Sequence, residues 1–219
     1  MSAQQARKNM VDTQIRTSSV ILPELLEALE VVPREVFVPD SYKNNAYNDE
    51  DIPLGAGRCI LEPAVFAKMV QALEPTADDV MLYVGSGTGY GPAVLSSMIS
   101  TVVVLENTHD YLIASNNHWQ NLDACNIAAF EGDLSDGVSD HAPYDSIFIN
   151  GAVASVPEKI LNQLSDNGRL ICNVKKPGNV MGEVRLYQRC AGGNFASHAL
   201  FEAASPYLEG FEPKPEFNF

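Results

Sequence analysis

The chain has 219 residues, 46% of them hydrophobic, with 28 acidic side chains against 14 basic ones and a formal net charge of −14 at pH 7. That length suits one α/β domain with an appendage, and the apolar content is enough for a full core. A surface this acidic repels phosphate backbones and anionic lipid, which argues against nucleic acid and membranes as partners, and no apolar run reaches the length of a bilayer span.

The N-terminal stretch MSAQQARKNMVDTQIR is polar and amphipathic and lacks the apolar centre of a signal peptide. Helical spacing is expected over residues 3–17 and 23–31, the second with Pro23 in its first turn and Pro33 as its stop. Val36 to Pro39 is a short apolar piece. Residues 39–58, rich in Asn, Asp, Pro and Gly, read as loop, and a helix resumes over 63–73. From residue 78 apolar runs alternate with helical ones. Strands are expected at 80–84, 101–106, 127–131, 145–150 and 168–174, and helices at 91–100, 109–122 and 157–164. Such alternation predicts an α/β, doubly wound, mostly parallel sheet with helices on both faces. Runs at 182–190 and 195–203 flank Gly192-Gly193-Asn194 and read as a C-terminal antiparallel hairpin. The tail over 212–219 is expected to be irregular. Cys59, Cys125, Cys172 and Cys190 lie apart with no CxxC spacing, as reduced thiols of a cytoplasmic protein would. His109, His118, His141 and His198 are also dispersed, so no metal centre is expected.

The segment MLYVGSGTGYG, residues 81–91, carries the most chemistry. A short apolar run ends in Gly85, Gly87 and Gly89, and Pro92 follows in what reads as a helix. Glycines there let the backbone turn sharply and approach a ligand without a Cβ between them. A second run, Thr101 to Leu105, ends in Glu106, where a carboxylate suits the two hydroxyls of a ribose. Together they predict a nucleoside-containing cofactor. A phosphate-binding loop would need a Lys after the glycines, and the dinucleotide pattern GxGxxG has Tyr90 at its third glycine. The spacing GxGxG is that of S-adenosylmethionine enzymes. A tight strand-to-helix turn with no ligand is the bland alternative.

Several elements then resemble the protein-L-isoaspartate O-methyltransferase family over nearly the whole chain. They are MVDTQIR, PREVFVP at 33–39, AYNDEDIPLGAGRCILEP at 46–63, YVGSGTGYG, VVVLE, Gly132-Asp133, APYDSIFI, Val156-Pro157 and LSDNGRL. The resemblance implies an N-terminal helical and loop cap over 1–77 and an S-adenosylmethionine-binding core over 78–219. It implies methyl transfer to the free α-carboxylate of isoaspartyl residues in damaged proteins, with such proteins or peptides as partners. Carried over residue by residue, Gly85, Ser86, Gly87 and Gly89 would line the methionine end of the cofactor. Glu106 would hold the ribose, with Gly132 and Asp133 beside the adenine. Arg58, Cys59, Ile60 and Leu61 are the candidates for the substrate pocket. A carboxylate acceptor is already ionised at neutral pH and needs no general base, so positioning can supply most of the catalysis.

The sequence departs from the family pattern in two places. Where the family has GQTISQP, this chain has Gly57-Arg58-Cys59-Ile60-Leu61-Glu62-Pro63, so Leu61 replaces a hydroxyl and Glu62 an amide. Leucine makes the pocket more apolar, and Glu62 adds a charge of the substrate's own sign. Arg58 offsets this if it turns inward, and is otherwise a solvated loop residue. The acid usual two residues before the first glycine is Tyr83. Three other readings therefore stay open: methylation of a smaller, more apolar acceptor, a non-catalytic relative that binds a nucleoside or a protein, and a nicotinamide dinucleotide enzyme.

Overall fold

The computed structural model describes residues 2–214. Five parallel strands form the centre of a seven-stranded sheet: β3 (Val80–Val84), β4 (Thr101–Glu106), β5 (Ile127–Glu131), β6 (Tyr144–Val153) and β7 (Leu164–Val174). The antiparallel strands β8 (Met181–Arg189) and β9 (Phe195–Ala204) complete one edge, giving the order β5-β4-β3-β6-β7-β8-β9. The chain steps outward from β3 to β5, then returns to lay β6 on the other side of β3. Order therefore reverses between β3 and β6, the point at which open α/β sheets offer a crevice beyond their carboxyl ends.

Strand side chains alternate between two cores. Met81, Tyr83, Val102 and Val104 join one apolar cluster, while Leu82, Val84, Val103 and Leu105 join the other. Strands buried on both faces must be apolar at every position, which is why they stood out as continuous runs. The first cluster is built with α1 (Ala3–Met10), α2 (Pro23–Val31), α3 (Pro63–Leu73) and α4 (Tyr90–Ser96), and Trp119 of α5 (His109–Asn121) reaches it. The second takes α6 (Glu158–Leu161) together with Leu208 and Phe211. Residues on both sides of position 77 thus share one core.

Several boundaries differ from expectation. The first helix is regular only to Met10, then widens over 11–15 and tightens over 16–18. The hydroxyls of Thr13, Thr17 and Ser18 donate to carbonyls one turn back, which loosens helices. The apolar piece before Pro39 is a single tight turn, Arg34–Val36. Helix α4 stops at Ser96, because Ser96 and Ser97 also donate to carbonyls of the preceding turn. The helix expected over 157–164 is the short α6. The Gln163 carbonyl accepts from the Tyr144 amide, and its side chain bonds Asp136 and Val138, which draws the chain into β7 early. Strand β6 continues to Val153 because a C-terminal strap runs beside it: the Ala152 amide donates to Pro206, and the Leu208 amide to Ala152. The expected loop at 39–58 holds a turn at Asp40–Asn45 and the hairpin β1 (Ile52–Gly55) to β2 (Arg58–Ile60). Of the expected irregular tail, residues 215–219 lie outside those described. Among the described residues no helix is long and apolar enough to cross a membrane, and no cluster of His, Cys, Asp and Glu is arranged to hold a metal.

Candidate active site

The glycine turn lies at the carboxyl end of β3. Gly85, Gly87 and Gly89 all have positive φ, at 78°, 55° and 93°, a region L side chains rarely adopt. The Gly85 amide donates to the Leu105 carbonyl at 2.9 Å, tying the turn to β4. Glu106, the last residue of β4, is fully buried. Its Oε2 accepts the Gly87 amide and its Oε1 the Asn107 amide, each at 2.9 Å. The turn and the acid that were matched by spacing alone are therefore bonded to each other. Asn150, at the crevice end of β6, donates from Nδ2 to the carbonyls of Gly85 and Cys59, at 2.9 and 3.2 Å. Sequence reasoning passed over it; the signal was a lone amide closing the apolar run SIFIN.

Arg58 points inward. It is 1% exposed, and its guanidinium grips Glu106: Nη2 lies 2.8 Å from Oε1, and Nε 3.2 Å from each oxygen. Its remaining donors go to the Ala56 carbonyl and to Asn107 Oδ1. Cys59, Ile60 and Leu61 are buried beside it. They line a cavity of about 10 Å³ with Tyr83 and Ser86, and the Ser86 hydroxyl has no partner. Burial pushes the Cys59 thiol up to about 12, with the nearby Asp51 carboxylate adding to the effect, so it is no nucleophile at neutral pH. The Leu61 carbonyl accepts from Arg34 Nη2 at 2.8 Å. Arg34 is itself fully buried over the Tyr90 ring, where desolvation lowers its pKa. Glu62 is half-buried at the start of α3, its pKa raised by burial and then by Asp49 and Asp51.

Gly132 and Asp133 follow β5. The Gly132 amide donates to the Glu106 backbone carbonyl at 3.1 Å. Asp133 is exposed; its Oδ1 accepts from the amide and hydroxyl of Ser135, both at 2.9 Å, which holds its pKa low. Gly85, Ser86, Gly87, Glu106 and the 58–61 segment thus come together, while Asp133 joins them only through its neighbour Gly132, which bonds the Glu106 carbonyl.

The chemistry suits a nucleoside cofactor: a carboxylate behind a glycine turn, a buried Ser86 hydroxyl with no partner, and an exposed carboxylate on the loop after β5. The room beside them is held by this chain's own side chains. Arg58 covers Glu106. A Cβ on Gly87 would stand 2.6 Å from a Leu54 methyl, and one on Gly85 would stand 2.7 Å from a Leu208 methyl.

Sheet order, crevice and glycine–acid pair define a doubly wound domain of the methyltransferase type. The family model for protein-L-isoaspartate(D-aspartate) O-methyltransferase matches residues 4–203. The chain belongs to that family. A protein-L-isoaspartate O-methyltransferase of Koribacter versatilis is 34% identical over 171 residues, covering 78% of this chain and 77% of that one. Two solved structures share the fold. One, a protein-L-isoaspartate O-methyltransferase, superposes with a TM-score of 0.79 at 23% identity, over 93% of this chain and 66% of that one. The other, a putative enzyme of the same name from Plasmodium falciparum in complex with S-adenosyl-L-homocysteine, gives 0.76 at 17% identity, over 93% and 98%.

Proposed function

We propose that the protein transfers a methyl group from S-adenosylmethionine to the α-carboxylate of isoaspartyl residues in damaged proteins. One observation carries the reading: in a chain matched by that family over residues 4–203, a buried carboxylate, Glu106, is bonded to the backbone of a positive-φ glycine turn at the crevice of the sheet. In this reading Glu106 holds the ribose, the turn from Gly85 to Gly89 lies along the methionine end, and Gly132 with Asp133 flanks the adenine. When bound, the cofactor supplies an activated methyl on a positively charged sulfur. The protein's part is to orient and to exclude water. The apolar walls of Ile60 and Leu61 do the second, and an acceptor carboxylate ionised at neutral pH asks for no base. The free cysteines support a reducing compartment, the cytoplasm.

Leu61 favours one second reading, an acceptor smaller and more apolar than an isoaspartyl carboxylate. The test is transfer of labelled methyl from S-adenosylmethionine to an isoaspartyl peptide, with the aspartyl peptide as control. Label on the isoaspartyl peptide alone is expected, and Leu61→Ser should raise it. Label on neither peptide, with folded protein that binds the cofactor, would overturn the isoaspartyl assignment and leave the apolar acceptor.

A further inference from the structure

We propose that Arg58 is an internal ligand of the cofactor cradle: its guanidinium occupies the carboxylate that would hold the ribose, and the β1–β2 hairpin carrying it must withdraw before a nucleoside enters. This rests on the cofactor reading above and adds a residue that sets cofactor affinity.

A carboxylate offers about four lone-pair positions. Glu106 Oε1 accepts from Arg58 Nη2, Arg58 Nε and the Asn107 amide, and Oε2 accepts from the Gly87 amide and Arg58 Nε. Nothing is left for two ribose hydroxyls. The fork of the guanidinium presents two parallel donors to one carboxylate, the pattern a vicinal diol also presents. Both side chains of the pair are wholly buried. A diol can replace the hydrogen bonds but not the charge, so Arg58 leaves only if its guanidinium reaches water or another anion.

The hairpin is built to move as one piece. Its two strands form a sheet of their own, outside the seven-stranded sheet. Gly55, which ends β1, and the turn residues Ala56 and Gly57 all have positive φ. Leu54, which fills the space over Gly87, is on the same hairpin as Arg58, so a single displacement clears both. Side chains from the domain hold the hairpin at its margins: Tyr111 Oη donates to the Leu54 and Gly55 carbonyls at 2.9 and 3.0 Å, and Asn150 to that of Cys59. Ile52, Cys59 and Ile60 anchor it in the first apolar cluster, and the Arg58–Glu106 pair is its buried ionic attachment. An apparent dissociation constant is the intrinsic one divided by the fraction of open molecules, so this pair lowers affinity for as long as it dominates.

The experiment is titration of the full chain and of Arg58→Gln with S-adenosyl-L-homocysteine by calorimetry. It is followed through the single tryptophan, Trp119, whose indole donates to the Gly89 carbonyl. Gln keeps an amide donor for Glu106 and loses the charge and the fork. Arg58→Gln should bind about tenfold tighter than the unaltered chain. Equal dissociation constants would overturn the proposal and leave the cofactor reading standing. No binding by either folded protein would overturn both. Should Arg58→Gln fail to fold, amide exchange in the unaltered chain decides alone. On ligand addition, amides of 52–60 should exchange faster while those of 85–91 slow. Greater or unchanged protection of 52–60 in the bound protein would show Arg58 to be a structural staple.

Discussion

Tyr83 and Gly91 act as a matched pair. The Tyr83 ring lies parallel to Phe148, with centroids 4.9 Å apart, and its hydroxyl end sits against the position a Gly91 Cβ would take. A residue with any side chain at 91 would collide with a fully buried phenol. Gly91 lies inside α4, where alanine ordinarily stabilises a helix by about 1 kcal/mol over glycine. Steric overlap should reverse the sign. Gly91→Ala is expected to cost about 1–3 kcal/mol in urea unfolding, and the same change on a Tyr83→Ala background to be neutral or stabilising. A stabilised single variant would show that the ring has room to shift. The sequence made Tyr83 legible as a departure, because its offset from Gly85 is fixed. It could not show that Gly91 accommodates the ring, since the two are brought together only by the crossing of β3 under α4. Glu106 was legible for the same reason as Tyr83, and its partner Arg58 was not. Whether a loop arginine turns inward depends on a carboxylate 48 positions away.

Between residues and the whole lie two elements that the sequence hid, the hairpin at 52–60 and the strap after Ala204. Strands of four and three residues, one interrupted by Pro53, joined by a two-residue turn give no usable alternation, so the segment reads as loop. The strap has no periodicity either, yet it pairs with β6 and drives Leu208 to full burial against Gly85 and Gly151. The parallel strands β3, β4 and β5, by contrast, were legible to the residue as short apolar runs, whereas β6 and β7 extend beyond theirs, to Val153 and back to Leu164. Leu208→Ala should therefore cost about 2–5 kcal/mol, as a buried leucine in a strand or helix would, with an unchanged m-value in denaturant. A loss under about 0.5 kcal/mol, the range of surface substitutions, would mean that the strap lies loosely on the crevice and does not belong to the core.

For the molecule as a whole, charge and burial pull stability the same way as pH rises. Asp51 and Glu62 are pushed above their ordinary 3.8 and 4.5, in each case first by burial. The folded chain therefore holds those protons to higher pH than the unfolded chain does. Their contribution is fully present below the unfolded values and is lost as pH climbs through the folded ones. The sign repeats at the alkaline end. Burial raises Cys59 from 9.0 to about 12, and raises Cys172, Tyr83 and Tyr90 as well. Above about pH 9 the unfolded chain ionises these groups and the folded chain cannot. Asp40 and Asp133 shift the opposite way, through hydrogen bonds with Lys43 and Ser135, but both are exposed and solvent screens what they add. The net charge of −14 only grows with pH, so self-repulsion acts in the same direction. The melting temperature should fall gradually as pH climbs above about 4.5 and steeply beyond about pH 9, and added salt should recover part of the loss near pH 8 by screening. Asp51→Asn keeps an oxygen for the Glu62 amide and removes the charge, so it should flatten the gradual part and leave the alkaline fall intact. A melting temperature that rises from about pH 4.5 towards neutrality would mean that the exposed, depressed carboxylates outweigh the buried, raised ones, and that the acidic surface is better paired than its net charge implies.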